Sequence, residues 1–514
     1  MKSLLFAILL VPSILTGCAV NPITGKNQLS LVSEAQELEI GKKKYAPLRQ
    51  LQGGDYVVDK NLTAYINEVG QRLAAVSDRK LPYEFKVLNN SVPNAWALPG
   101  GKISLNRGLL TELESEAELA AVLGHEITHV AAKHTASSMS RGMLIQGAVM
   151  ATIIGTHGKD YAQLAQLGAG VGAEMVTQKY GRDAERESDF YGMKYMSKAG
   201  YDPQGAVDLQ RTFVRLSEGK NQDWLSGLFA SHPPSQERVE NNIKTAASLP
   251  QGGSRGEKQF KARTAHIKRS KPAYEAYDEG RKAFQKDDLS KARTLVNKAI
   301  RLEPREGHFH ALLGDVEEKK KRHKTAKRHY DKAIKLNDNF YYYYLKRGQV
   351  NENLKASANA KRDLEKSIQL LPTANAYNSL GNIAKLKGNL KAAKFYYKKA
   401  ASGKTTEGKA AYSALMALDL SENPQNYIKL RRGLDNNKGR LKAEISNPTP
   451  RNVRDVVIAI QYRDSNGKIR KTKRTYKPVL VAGKKTVIDL GIKNIPKDQL
   501  ANIKFGIIGA RLAK

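Results

Sequence analysis

His125, Glu126 and His129 form a His-Glu-x-x-His run, a grouping with a well-defined chemical use. On a helix, positions i and i+4 project from one face about 40° apart, so both imidazoles can reach one tetrahedral cation. Glu126, beside the first of them, is placed to take a proton from a water held by that cation. Two nitrogen donors, a base and an open position on the ion are what zinc-assisted hydrolysis of a peptide bond requires. The run is expected on a helix. Ser115 with Glu118 three residues on is a capping box, and the alanines and leucine that follow are strong helix formers.

A third ligand must come from a second helix, and the charged stretch Tyr180 to Gly192 lies downstream. HEITH followed by RDAERESDFYG resembles the HtpX/Oma-type family of zinc metallopeptidases, whose second motif is Glu-x-x-x-Asp. The resemblance implies one Zn²⁺ per chain with Glu185 as its third ligand. It also implies that Asp189, one turn on, hydrogen-bonds the free nitrogen of a ligand histidine and fixes its tautomer. The family usually has Ala where Ser188 stands. Glu187 is the alternative ligand, about 200° round the helix and expected to face solvent. His134, about 140° off the ligand face by its spacing from His129, is expected at the surface, and His157 in a loop.

Ser231-His232-Pro233-Pro234 with Arg238 resembles the Ser/Thr-His-Pro-Pro…Arg motif found after the catalytic core in periplasmic members of the family. Two prolines stiffen the chain around the histidine. The motif implies His232 as a fourth zinc ligand that holds the enzyme off, and Arg238 as a cleft-facing stabiliser of the oxyanion. The alternative is a substrate-cleft loop whose histidine only hydrogen-bonds. In the family, the stretch Asn94 to Gly101 and its strand line the cleft edge. Such a strand binds substrate backbone by β-augmentation, or else is a plain hairpin. Phe85–Leu88 and Lys102–Asn106 are expected strands.

The chain opens on Met1-Lys2, an apolar Leu4–Leu15 and Leu15-Thr16-Gly17-Cys18, which has the form of a bacterial lipobox. Residues 1–17 are expected to be a lipoprotein signal peptide and Cys18 the lipidated residue. Cys18 is the single cysteine of the 514 residues, so no disulfide forms within the chain. By resemblance to the enterobacterial sorting rule, Ala19 places the anchor in the outer membrane, facing the periplasm. Met143 to Gly155 is apolar but too short to span a bilayer, and is expected to be buried or interfacial near the cleft.

Of the net charge of +36, residues 1–252 carry +1 and residues 253–514 the remaining +35. That asymmetry calls for an anionic partner of the second half. Nucleic acid is not the expected one for an exported chain. Anionic lipid, lipopolysaccharide, peptidoglycan and acidic client proteins share its compartment.

Residues 253–271 are expected to be a basic linker. Beyond them Gly280, Gly314 and Gly348 recur at 34 residues, as do Ala292, Ala326 and Ala360, with Pro304, Asp338 and Pro372 in step. This is the tetratricopeptide period, small where paired helices approach and broken after the second helix. Four repeats fit, over 272–424. Glu317 and Lys319 depart from the aromatic norm, and Phe340 with Tyr341 to Tyr344 is either a peptide contact or packing. From 436 to 514 short alternating segments with a turn at Asp464–Lys468 suggest a small antiparallel sandwich, similar in pattern to Ig-like accessory domains of envelope proteins.

The expected fold is multidomain: an α+β zincin-like metallopeptidase domain (18–252), an all-α tetratricopeptide solenoid and a C-terminal all-β Ig-like sandwich. The expected function is a periplasmic, lipid-anchored zinc endopeptidase of unfolded or misassembled envelope proteins, the repeats recruiting clients. The family resemblance points toward its outer-membrane assembly proteases. The competing function is a chaperone or scaffold lipoprotein for which proteolysis is secondary.

Overall fold

The computed structural model describes residues 18–143, 180–218, 229–403, 405–435, 440–464, 467–493 and 502–513. The expected signal peptide, the apolar run beyond Met143 and His157 lie outside them. The chain divides into two compact units, Met1–Val350 and Asn351–Lys514.

In the first unit β1 (Cys18–Val20) pairs antiparallel with β2 (Asn27–Leu29). Helix α1 (Glu34–Leu51) follows, opened by a reciprocal box in which Ser33 and Gln36 cap each other's backbone, and then α2 (Lys60–Ala74). A three-stranded sheet in the order β3-β5-β4 holds β3 (Glu84–Leu88), β4 (Ala95–Leu98) and β5 (Lys102–Asn106). The first pair is parallel, the second an antiparallel hairpin. Gly100 and Gly101 make its turn at φ +79° and +80°, which side-chain-bearing residues avoid. After α3 (Arg107–Leu110) come α4 (Glu116–Ala131), α5 (Arg182–Lys198), α6 (Gln204–Glu218) and α7 (Gln236–Ser248).

Every residue of α4 is buried. Leu119, Ala120 and Ile127 meet the sheet through Phe85 and Ile103, and α5 through Met193 and Met196, in one cluster. Ser115 caps α4 as expected, taking the Glu118 N–H at 3.1 Å. The Glu118 carboxylate, however, accepts from Glu114 N at 2.9 Å, one residue before the place a reciprocal box would give it. Helices α4 and α5 cross with their backbones touching. A Cβ on Gly192 would lie 2.9 Å from His125 N, and one on Gly124 2.8 Å from Gly192 O. This close crossing brings the two halves of the expected site together.

The stretch 253–271 is not a linker. From Glu257 it is the first half of a 29-residue helix, α8 (Glu257–Gln285), whose Phe260, Thr264 and Ile267 are buried. Phe260 and Ile267 join the same core as α4. Their helical spacing is hidden in the sequence among seven lysines and arginines. Beyond it α9 (Leu289–Leu302), α10 (Gly307–Lys319), α11 (His323–Leu336) and α12 (Tyr341–Asn353) alternate with the 34-residue period. A Cβ on Gly314 would meet the Tyr330 ring at 2.7 Å, which is why that position is small. The helical repeats are built onto the rest of this unit. Tyr274, Ala299 and Phe309 share its core. Glu306 accepts from Asn89 Nδ2 at 2.9 Å and Tyr274 OH at 2.8 Å, and His308 Nε2 lies 2.8 Å from Gly53 O. Gln50 reaches Asn339 O at 2.7 Å and Tyr341 N at 2.9 Å. Phe340 and Tyr343 are buried packing residues, whereas Tyr341 and Tyr342 are half-buried.

Among its described residues the second unit holds α13 (Ser357–Leu370), α14 (Ala374–Leu386), α15 (Leu390–Ala401) and α16 (Thr406–Asp419), then six strands. These are β6 (Lys429–Asp435), β7 (Arg440–Ser446), β8 (Val453–Arg463), β9 (Ile469–Tyr476), β10 (Lys485–Asp489) and β11 (Lys504–Leu512). They form two three-stranded antiparallel sheets, β10-β7-β6 and β11-β8-β9. Leu441, Ala443 and Ile445 of one and Val456, Ile458 and Ile460 of the other share one buried cluster. The strands begin at Lys429, ahead of the expected 436, because two arginines interrupt the alternation of β6. No helix among the described residues is long and apolar enough to cross a membrane.

Candidate metal centre and active site

Helix α4 supplies His125 and His129, α5 supplies Glu185, and the segment before α7 supplies His232. One ligand atom from each lies within 4.8 Å of all the others, and all four residues are buried. His125 Nε2 is 3.0 Å from His129 Nε2 and 3.6 Å from Glu185 Oε2. His129 Nε2 is 3.4 Å from Glu185 Oε1. His232 Nδ1 is 2.9 Å from Glu185 Oε1 and 3.3 Å from His125 Nε2.

This donor set fits a divalent metal. The Nδ1 atoms of His125 and His129 are both turned outward onto partners, which leaves the two Nε2 atoms converging. Glu185 Oε2 is buried and makes no hydrogen bond, with Arg238 Nη1 3.2 Å away as an ion-pair contact. Two imidazoles, a carboxylate and a further imidazole are the nitrogen and oxygen donors that zinc and its neighbours in the transition series take. Burial drives the His129 pKa well down, so the ring is neutral and free to donate a lone pair. Burial alone would raise that of Glu185, but His232 and His125 beside it hold the carboxyl well below its ordinary range.

Glu126 lies next to the cluster, its Oε1 3.6 Å from His232 Nε2. Burial raises its pKa against the opposing pull of His232 and His125, which makes it a better proton acceptor than an exposed glutamate. A cavity of about 30 Å³, room for a water, is lined by Ala95, Val122, His125, Glu126, Met193 and His232 among others. Ala95 belongs to β4, the outer strand of its sheet, so the stretch expected at the cleft edge does reach the cavity.

Asp189 Oδ1 sits 2.9 Å from His125 Nδ1, as the Glu-x-x-x-Asp motif implies. Arg238 is placed differently from the expectation. Its Nε donates to Asp189 Oδ2 at 2.8 Å and its Nη2 to Asp189 Oδ1 at 2.7 Å. Its Nη1 lies 3.2 Å from both Pro233 O and Glu185 Oε2. With every nitrogen of its fork engaged, it holds the carboxylates rather than an oxyanion. Burial would raise the Asp189 pKa, and Arg238 overrides this to keep the carboxyl ionised.

His134 was expected at the surface. It is buried, with Nδ1 2.9 Å from His129 Nδ1. The helical-wheel argument fails because α4 ends at Ala131 and Lys133 takes φ +60°, so His134 starts a new helical segment on a different axis. Glu187 is outside the cluster and does not face solvent freely, since its Oε1 is 3.3 Å from His134 Nε2 and accepts from Asn21 at 2.8 Å. Tyr180 was also unforeseen. It stacks on His129 with ring centroids 4.0 Å apart and reaches Thr135 Oγ1 at 2.8 Å.

Residues 60–246 match the model of peptidase family M48, and residues 308–340 and 374–402 match the tetratricopeptide repeat model. The chain is similar to the beta-barrel assembly-enhancing protease of Escherichia coli (strain K12), 28% identical over 227 residues, covering 42% of this chain and 45% of that protein. It is similar to Metalloprotease YcaL of the same strain, 28% identical, covering 46% of this chain and 94% of that protein. Mitochondrial metalloendopeptidase OMA1 of Saccharomyces cerevisiae is 26% identical, covering 43% of this chain and 67% of that protein. The chain spans about half the length of the assembly-enhancing proteases it matches. Since His125, Glu126, His129, Glu185, Asp189 and His232 all fall inside the span 60–246, the chain carries a peptidase family M48 domain that brings together four residues able to hold a metal ion, joined to tetratricopeptide repeats.

Proposed function

We propose that this chain is a zinc-dependent endopeptidase of the bacterial envelope that cleaves unfolded or misassembled proteins. The convergence of His125, His129 and Glu185 beside Glu126 carries the reading. His125, His129 and Glu185 would hold the ion, and a bound divalent ion would supply a Lewis acid for water and for the scissile carbonyl. Glu126 takes the proton of the attacking water and delivers it to the leaving nitrogen, a cycle that its buried, raised pKa favours. Asp189, held by Arg238, keeps His125 in the tautomer that donates through Nε2. His232, already among the ligand atoms, is a fourth donor whose withdrawal opens the site. The outer strand β4 would receive substrate backbone alongside it, giving affinity with little sequence preference.

The repeats are proposed to recruit clients or partners, and the two C-terminal sheets to form an Ig-like positioning domain. Lipidation at Cys18 after removal of residues 1–17, and an outer-membrane, periplasm-facing location, complete the proposal. For the anionic partner, support comes from the outer face of the β11-β8-β9 sheet. There Lys473, Ala459 and Gly506 form one cross-strand row and Lys471, Gln461 and Lys504 the next. A phosphate-bearing lipid or lipopolysaccharide surface suits such a face, and its binding should weaken between low and physiological salt. The alternative, a chaperone or scaffold with proteolysis secondary, draws on the same helical repeats. Purified protein tests the main reading: one zinc per chain, with cleavage of an unfolded protein lost on chelation and restored by Zn²⁺. Metal-free protein that cleaves equally well overturns it.

A further inference from the structure

We infer that the N-terminal hairpin positions the ligand histidine His129 through a hydrogen-bond relay, Asn21 to Glu187 to His134, so that Asn21 and His134 are positioning residues of the metal site. The inference rests on the metal reading above.

The relay has one consistent assignment of protons. His129 turns Nε2 toward the cluster, so its proton sits on Nδ1, 2.9 Å from His134 Nδ1. His134 must accept there, which places its own proton on Nε2, facing Glu187 Oε1 at 3.3 Å. Glu187 Oε1 also accepts from Asn21 Nδ2 at 2.8 Å. The orientation of the Asn21 amide is fixed independently, because its Oδ1 accepts from Ile23 N at 2.9 Å and Thr24 N at 3.3 Å. Each donor therefore faces an acceptor from the hairpin to the ring of His129. His134 and Asn21 are both buried, so water does not compete freely for these bonds.

The arrangement matches, on the second histidine, what Asp189 does for the first. A hydrogen bond to the remote nitrogen fixes the tautomer and the ring plane and strengthens the donor atom. It differs in being built from three elements rather than one. Glu187 comes from α5, two residues after Glu185, and presents its carboxylate away from the cluster. Asn21 lies between β1 and β2, and its hairpin is held by separate bonds. Gln28 Nε2 donates to Ala132 O at 3.1 Å, and Leu31 N to Ser140 Oγ at 2.8 Å. Docking of the hairpin and its action on His129 are thus separable by mutation.

The test is competition for Zn²⁺ with a chelator on the full chain, with the visible spectrum of the Co²⁺-loaded protein as a second readout. Asn21→Ala and His134→Phe should each lower affinity, His134→Phe by about 10- to 100-fold, and shift the Co²⁺ bands. Asn21→Ala should add no loss in the His134→Phe background. Glu187→Gln, which keeps an acceptor oxygen, should retain affinity that Glu187→Ala loses. Gln28→Ala, which removes one docking bond while Leu31 N still holds the hairpin to Ser140 and Asn21, Glu187 and His134 are unaltered, should bind as wild type. Wild-type affinity in Asn21→Ala, an equal loss in Gln28→Ala, or additive losses in the double variant overturn the relay. Wild-type protein that binds no zinc sinks the metal reading together with it, whereas tight wild-type binding with unaltered variants sinks the relay alone.

Discussion

Asp189 receives His125 on one side and the fork of Arg238 on the other, His125 Nδ1 at 2.9 Å and Arg238 Nη2 at 2.7 Å meeting the same oxygen. One carboxylate therefore both orients a ligand and neutralises a buried guanidinium. Asp189→Ala should weaken Zn²⁺ binding by about 10- to 100-fold. It should also destabilise the fold by about 3–5 kcal/mol, because Arg238 is left in the interior without its main partner. Chelator competition and urea unfolding measure the two effects, and a variant that loses neither contradicts the geometry.

The crossing of α4 and α5 predicts that Gly192→Ala will damage the site without touching a ligand. Its Cβ would come within 2.9 Å of His125 N, so the helices must separate. Overpacking of this kind costs about 1–3 kcal/mol. The separation moves Glu185 away from His125 and His129, and zinc affinity should fall with stability. Gly142→Ala, whose Cβ meets nothing within 4 Å, serves as the control and should change neither. Normal zinc binding in Gly192→Ala would show that the crossing is not what sets the ligand spacing.

His308 gives the first unit a pH-dependent stability. Burial lowers its pKa from the ordinary 6.5, and its neutral ring is held between Tyr343 OH and Gly53 O. For a histidine with a depressed folded pKa, the contribution is complete above about 6.5. It decays as the pH falls from there toward the folded value. The urea midpoint of the wild type should therefore drop below about pH 6.5, and that of His308→Gln should be lower at neutral pH but flatter across the same window. Parallel profiles would contradict this assignment.

Much of the site was legible because its chemistry is compressed into short motifs. His125, Glu126 and His129 share one helix turn, Glu185 and Asp189 another, and His232 is marked by the prolines that follow it. The residues that were missed act across chain reversals. His134 is displaced by the left-handed residue Lys133, and Asn21 meets Glu187 from 166 positions away, so neither spacing nor periodicity points to them. The sequence marks Arg238 but does not tell which acceptors occupy its guanidinium, here Asp189 and Pro233 O. In the fold, the 34-residue period located the helical repeats, while the charge of Lys258 to Lys271 concealed the buried face of α8. The core that Phe260, Tyr274 and Phe309 share with α4 implies that removing residues from 272 onward would cut into this unit rather than release a separate arm.

If His232 holds the site closed, His232→Ala should keep its zinc and raise basal cleavage of an unfolded protein several-fold. Its Nδ1 lies 2.9 Å from Glu185 Oε1 and 3.3 Å from His125 Nε2, among the other candidate ligand atoms. Lower activity at unchanged zinc content would instead assign it to substrate binding or catalysis.

The central claim is that Glu126 acts as the base in hydrolysis at a metal held by His125, His129 and Glu185. Its most direct test is a single comparison of Glu126→Gln with wild type, measuring zinc content and cleavage of an unfolded protein on the same samples. The account predicts one zinc per chain in both and a rate in the variant lower by at least about 10²-fold, the range that loss of a general base produces. A zinc-loaded Glu126→Gln protein that cleaves at the wild-type rate would contradict it.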